Sequence, residues 1–241
     1  MIQQQHEQRS SIVTANCLKF CYFLIFLFCL GCGNEQKKNQ DLEENLSTET
    51  QETIDNGKKT ILCFGDSITA GYGLDDINDA YPSVLQSKID SLNLNYEVVN
   101  SGVSGETSSG GLSRINWVLN QDIDVFLLEL GANDGLRGIP LTETKSNLSA
   151  IIQAVHNKNP QTKIIMAGRE LPPNMGDDYI TEFRSIFSEL AEQYQLPFIP
   201  FVLQDVGGIA ELNQADGIHP TVEGHKIVAN NVWKVLKTQI N

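Results

Sequence analysis

Apolar positions along the chain fall into three regimes. Phe20 to Leu30 is an unbroken run of eleven apolar residues, whereas Gly33 to Gly57 holds only three large aliphatics, Leu42, Leu46 and Ile54. From Lys58 onward, short apolar runs alternate with stretches of helical periodicity. Ile61–Phe64, Glu97–Val99, Val125–Leu128, Lys163–Met166 and Phe198–Phe201 are rich in branched or aromatic residues and are predicted strands. Leu148, Ile151, Ile152 and Val155 recur at the spacing of an amphipathic helix, as do Phe183, Phe187, Leu190 and Tyr194, and Val228, Val232 and Val235. Strands alternating with helices imply crossover connections, and so an α/β fold with a parallel sheet covered on both faces. Ligands of such sheets bind beyond the carboxyl ends of the strands, which directs attention to the turns found there.

The first regime reads as targeting. A membrane-spanning helix takes roughly 20 apolar residues, so a shorter run preceded by Arg9 and Lys19 fits the core of a signal peptide. The run closes on Cys29-Leu30-Gly31-Cys32, which resembles a bacterial lipobox, although Cys29 stands where that pattern prefers leucine. Residues 1–31 are accordingly expected to be a lipoprotein signal peptide. Cys32 is the expected lipidation site, and the protein an exported bacterial lipoprotein anchored on the periplasmic side or in the outer membrane. A plain signal peptide with a chance cysteine, or a short uncleaved anchor, is the competing reading. Seven acids against two lysines fill Gly33–Gly57. With so little to bury, residues 32–57 are expected to be an acidic disordered tether. The domain proper is residues 58–241.

Composition narrows the partners. In 241 residues, 17 Lys and Arg face 30 Asp and Glu, a net charge of −13, which argues against nucleic-acid binding and against adhesion through a polybasic surface. Four of five cysteines precede Gly33, leaving Cys63 alone in the domain without an internal disulfide partner. Cys63 lies inside an apolar strand and reads as an inert core residue. No Cys/His cluster has zinc spacing, and neither a metal nor a cofactor is expected.

Chemistry gathers at the predicted strand ends. The first strand runs into Gly65-Asp66-Ser67-Ile68 and the third into Gly131-Ala132-Asn133-Asp134, while Ser104-Gly105-Glu106-Thr107 follows the second. Near the C-terminus, Asp216-Gly217-Ile218-His219-Pro220 precedes the last helix. A serine hydroxyl is a weak nucleophile until an imidazole accepts its proton, and His219 fits that role for Ser67, with Asp216 fixing its tautomer. The backbone N–H groups of Ser67 and Gly105 and the side-chain amide of Asn133 supply three donors for an oxyanion, each worth about 3 kcal/mol in other enzymes. Singly, each motif is equally an ordinary turn or cap: Gly-Asp-Ser a turn tripeptide, Asn133-Asp134 a cap, Asp216-Gly217 a turn. Jointly, four of them in this order point to acyl transfer. His156, at a helix end, and His225, in the last helix, compete for the base role, but neither has an acid placed like Asp216.

GDSITAGYG, SGETSSGGLSRI, LGANDGLRG and DGIHP resemble the blocks of the SGNH (GDSL-type) hydrolases, nearest the branch of bacterial acyl-CoA thioesterase I/lysophospholipase and arylesterase. The resemblance covers essentially all of residues 58–241. It implies a flavodoxin-like three-layer α/β/α sandwich on a five-stranded parallel sheet, with Ser67 as nucleophile, Gly105 and Asn133 in the oxyanion hole, and Asp216 and His219 as acid and base. It implies a serine esterase acting on aryl, lysophospholipid or thioesters through an acyl-enzyme, with a small-molecule or lipid ester as its partner. Two departures stand out. Ile68 replaces the leucine of GDSL, and Arg169, in Ala167-Gly168-Arg169-Glu170-Leu171-Pro172-Pro173-Asn174, replaces a residue that is usually apolar, so acyl-chain preference does not carry over. Arg169 and Glu170 are otherwise read as an outward solvated pair. Gly135-Leu136-Arg137-Gly138-Ile139-Pro140 reads as a flexible lip whose Leu136 and Ile139 face an acyl pocket, with Leu171, Pro172 and Met175 as its far wall. A static loop whose glycines serve local turns stands equally. A carbohydrate O-acetylesterase on the same scaffold is the alternative enzyme, and a silent binding module the third reading. No G-x-S-x-G nucleophile elbow is present to favour an α/β-hydrolase.

Overall fold

The computed structural model describes residues 57–240. The expected signal peptide, Cys32 and the tether up to Asn56 lie outside the described residues. Five strands, β1 (Lys59–Gly65), β2 (Tyr96–Gly102), β3 (Val125–Glu129), β4 (Lys163–Ala167) and β5 (Phe198–Ile199), form one sheet in the order β2-β1-β3-β4-β5. Every neighbouring pair is parallel, as the expected fold class requires. Central strands of such a sheet are enclosed on both faces, which is why Ile61–Phe64 and Val125–Leu128 are continuous apolar runs rather than alternating ones.

Helices close both faces. On one, α3 (Ser108–Val118), α5 (Leu141–Lys158) and α6 (Asp177–Gln193) pack Ile115, Leu148, Ile151, Phe183 and Phe187 against Phe64, Phe126 and Leu128. On the other, α2 (Tyr81–Ser91) and α7 (Val222–Leu236) pack Tyr81, Leu85, Ile89, Val228 and Val232 against Ile61, Cys63, Val125 and Leu127. The two short helices, α1 (Ser67–Ala70) and α4 (Ala132–Leu136), contribute little core and sit at the carboxyl ends of β1 and β3.

Differences from the sequence expectation are local. Strands β1, β2 and β3 run past their expected ends by one to three residues, carrying Gly65, Gly102 and Glu129 into the ladder. β5 stops at Ile199 instead of Phe201, because Pro200 has no N–H to donate to a neighbour. In α7 the last core position is Leu236, with Val235 only half-buried. Cys63 is fully buried and free, and burial pushes its thiol up to about 12, so it is inert as expected.

The register decides where the site forms. Gly65 pairs with Gly102 on one side and with Glu129 on the other, so three strands end at one level. The chain leaves β1 toward β2 and later returns on the opposite side as β3. The crevice lies between those two departures, as in other doubly wound sheets.

Candidate active site

Ser67 is the first residue of α1, two residues beyond the end of β1. Asp66 caps that turn by accepting the Ile68 N–H at 3.0 Å, and Gly71 ends it in the left-handed region at φ 77°. Gly102 at the end of β2 lies against this turn so closely that a Cβ there would meet the Ala70 nitrogen at 2.2 Å. The nucleophile candidate is therefore held by packing as well as by its cap.

His219 and Asp216 share one loop before α7. Gly217, at φ 72°, turns the loop, and its N–H donates to the Gln214 carbonyl at 2.8 Å. The loop is closed by the Gln214 N–H donating to the His219 carbonyl at 2.7 Å. Within it, Asp216 Oδ1 accepts the backbone N–H groups of Ile218 and His219 at 2.9 and 3.0 Å, leaving Oδ2 aimed at His219 Nδ1, 2.7 Å away. His219 Nε2 lies 2.8 Å from Ser67 Oγ. The structure thus unites serine, imidazole and carboxylate across 152 residues of sequence. Burial works against charge on Asp216, but the hydrogen bonds from the His219 ring and the two backbone N–H groups outweigh it and hold the carboxyl down at about 2.

Gly105 follows β2 in the left-handed region at φ 77°, a conformation that favours glycine. Asn133, in α4, donates its side-chain amide to the Glu106 carbonyl at 3.0 Å, and Arg137 donates to the Gly105 carbonyl at 2.9 Å. These two bonds tie the loop after β2 to the helix after β3, bringing Gly105 and Asn133, two of the three expected oxyanion donors, to one rim of the crevice.

Other expected residues are placed differently. Leu171 is 7% exposed and belongs to the core, its methyls 2.7 and 2.9 Å from where a Gly135 Cβ would be. It therefore props α4 from beneath instead of walling an open pocket. Leu136 is exposed, while Ile139 and Met175 are half-buried. The loop from Gly135 to Pro140 is tied: Ile139 N–H donates to Asp134 at 3.0 Å, Gly138 N–H to Gly135 at 3.2 Å, and Tyr179 Oη to the Gly135 carbonyl at 3.0 Å. Gly135 is demanded by close packing and Gly138 by φ 67°, so both glycines serve local structure. The outward Arg169–Glu170 pair is corrected. Arg169 is 5% exposed and lies 2.6 Å from Glu129, whereas Glu170 pairs with Arg184 at 3.0 Å. His225 is fully buried, accepting the Tyr81 N–H at 3.2 Å through Nδ1, and burial pulls its pKa down to about 4. His156 is exposed in the last turn of α5.

Sequence reading missed four contributors. The Tyr72 ring lies 4.7 Å, centroid to centroid, from that of His219, and is half exposed. Gln214 Nε2 donates to the carbonyls of Tyr72 at 2.7 Å and Pro220 at 3.0 Å, clasping the loop that follows Ser67 to the His219 loop. Glu106 forms a bidentate pair with Arg114, whose guanidinium lies 4.0 Å from the Phe64 ring centroid and also bonds Ser101. Asp134 accepts the N–H and hydroxyl of Ser108, which anchors the start of α3 to α4. Glu106 and Asp134 directly follow Gly105 and Asn133, which was the available signal for those two, but no local pattern identifies the distant partner of either carboxylate.

Comparison with known proteins agrees with this geometry. The profile of the GDSL-like Lipase/Acylhydrolase family matches residues 63–227. Esterase TesA of Pseudomonas aeruginosa is 37% identical over 180 residues, covering 74% of this chain and 88% of that protein. Thioesterase 1/protease 1/lysophospholipase L1 of Escherichia coli K12 is 35% identical over 183 residues, covering 76% and 85%. A crystal structure of TesA superposes with a TM-score of 0.72 at 37% identity, covering 76% of this chain and all of that one. The chain belongs to the GDSL-like lipase/acylhydrolase family, the SGNH hydrolases, and is a serine ester hydrolase.

Proposed function

We propose that the protein cleaves carboxylic esters through an acyl-enzyme on Ser67, with His219 as general base and then general acid and Asp216 as its orienting carboxylate. The 2.8 Å approach of Ser67 Oγ to His219 Nε2, with Nδ1 already engaged by Asp216, carries this reading. Nε2 takes the hydroxyl proton as Oγ attacks the acyl carbon, and Asp216 stabilises the imidazolium that forms. The carbonyl oxygen becomes an oxyanion received by the N–H groups of Ser67 and Gly105 and by the Asn133 amide. His219 then protonates the leaving oxygen or sulfur, and water repeats the cycle on the acyl-serine. Because that proton leaves from Nε2, the leaving group emerges on the imidazole side, where half-exposed Tyr72 and Ile218 present apolar surface. That surface favours an aryl or other apolar leaving group, alongside the lysophospholipid and thioester substrates suggested by the names of relatives. The soluble domain, residues 58–241, and Ser67→Ala are to be compared on p-nitrophenyl acetate and octanoate, a lysophospholipid, an acyl-CoA and an acetylated glycan. Loss of all activity in the variant is expected, and an equally active variant would reject Ser67 as nucleophile. Activity confined to the glycan would replace this reading with a carbohydrate O-acetylesterase.

The full chain is further proposed to be exported and anchored through lipid on Cys32, a reading supported by the apolar run before it and the acidic stretch after it. Palmitate labelling and membrane fractionation of the full chain and Cys32→Ser test it. A variant still labelled and sedimenting with membranes would end it.

A further inference from the structure

Directly behind the nucleophile lies a buried ionic cluster that the hydrolytic cycle does not use. Arg169 Nη1 is 2.6 Å from Glu129 Oε1, and its Nη2 is 3.6 Å from Asp66 Oδ2. The other carboxylate oxygens face the nucleophilic turn: Asp66 Oδ1 accepts the Ile68 N–H at 3.0 Å, and Glu129 Oε2 accepts the Thr69 hydroxyl at 2.6 Å. Thr69 Oγ1 in turn lies 2.9 Å from the Tyr81 hydroxyl. Asp66, Thr69 and Glu129 are all buried.

The cluster is closely packed, although Asp66 Oδ2, Glu129 Oε1 and Arg169 Nε and Nη1 have no hydrogen-bond partner among the described residues. A Cβ on Gly65 would meet Thr69 Oγ1 at 2.1 Å and Glu129 Oε2 at 2.5 Å, so the end of β1 is pressed onto it. Arg169 itself comes from a rigid origin. Gly168 N–H donates to the Ile199 carbonyl at 2.7 Å and Val202 N–H to that of Gly168 at 3.0 Å, while a Cβ on Gly168 would meet the Pro200 oxygen at 2.2 Å. One guanidinium thus sits between the two carboxylates that hold Ile68 and Thr69, the two residues that follow Ser67, and buried charges of one sign stay in place only with such a partner.

We propose that Arg169 is a positioning residue for the reaction. Through Asp66, which holds Ile68, and through Glu129, which holds Thr69, it braces the Ser67–Ala70 turn and fixes the serine oxygen against His219. The inference rests on Ser67 being the nucleophile. Burial raises the Glu129 carboxyl well above its usual range and the Arg169 guanidinium offsets this only in part, so whatever charge Glu129 carries depends on that one cation.

The decisive variant is Arg169→Met/Glu129→Gln, which removes the cation and one carboxylate together, so that Asp66 is the one buried charge of the cluster left. It is compared with the parent, Arg169→Lys and Ser67→Ala on p-nitrophenyl butyrate, each about ten degrees below its own melting midpoint. We expect kcat to fall at least about five-fold in the double variant with KM within about two-fold, since only transition-state alignment is lost. Phosphonylation of Ser67 by an organophosphonate should slow in proportion. Arg169→Lys, which keeps the charge but not the fork, should fall between double variant and parent. A smaller fall in kcat, a loss confined to KM, or phosphonylation at the parental rate overturns the positioning role. Ser67→Ala separates the two levels: activity surviving there defeats the nucleophile assignment, whereas an inactive Ser67→Ala beside a fully active double variant defeats only the role of Arg169.

Discussion

Replacing Asp216 by asparagine changes one atom's chemistry and, from the geometry, should almost abolish turnover without loosening the loop. Asp216 Oδ1 accepts two backbone N–H groups, from Ile218 and His219. Only the amide oxygen of an asparagine can take that place, so its NH2 must occupy the Oδ2 position, 2.7 Å from His219 Nδ1. Two N–H donors cannot face each other at that distance. The imidazole therefore shifts to the tautomer with a bare Nδ1 and a protonated Nε2, and Nε2–H then points at Ser67 Oγ and cannot accept its proton. In a comparable triad the wrong tautomer lowers kcat by roughly 10⁴, which corresponds to about 5.5 kcal/mol. Asp216 is 39% exposed in its side chain, so water will partly relieve the mismatch and the loss here should lie nearer about 10³. The assay is steady-state hydrolysis of a p-nitrophenyl ester by Asp216→Asn and Asp216→Ala, with melting temperatures in parallel. Asparagine should keep the parent's KM and stability, whereas alanine should also loosen the loop by removing both backbone acceptors. An asparagine variant with more than about a tenth of parental kcat would refute the tautomer argument.

Asn133→Ala removes a proposed oxyanion donor and should lower kcat by about 10²–10³ on every ester alike; a loss seen only in KM would rule out an oxyanion-hole role for Asn133. Leu136→Ala and Ile139→Ala should lower activity on octanoate more than on acetate, and equal losses would remove the idea of an acyl contact at that rim. Burial holds His225 neutral, with its pKa lowered from 6.5 to about 4, so the unfolded chain binds the extra proton first and stability falls as pH drops between those values, by about 3 kcal/mol. Chemical denaturation at several pH values should show that slope flattened in His225→Asn; an unchanged slope would mean that other groups set it. Gly135→Ala should cost about 1–3 kcal/mol by overpacking against Leu171 and Phe183, and a variant as stable as the parent would contradict the close contact.

Much was legible in the chain itself. Alternating strand and helix patterns determined a parallel α/β sheet, because a branched apolar run of four or five residues buries both faces only when crossover helices cover them. The meeting of Ser67 with His219 and Asp216 was legible because each lies in a turn whose local chemistry is distinctive, and the rule about carboxyl strand ends places Gly105 and Asn133 at the same edge without coordinates. What lies between those turns was not legible. Arg169 reads as a solvated neighbour of Glu170, yet the strand order places it beside Glu129 and Asp66, 40 and 103 residues away in sequence, where its charge is the partner they need. Leu171 reads as a pocket wall, yet packing makes it the floor of α4. A turn is written in adjacent residues and its conformation follows from their own sterics and hydrogen bonds. Partnership across the sheet depends on strand order and register, which no short stretch of sequence encodes, and only the folded tertiary structure decided it.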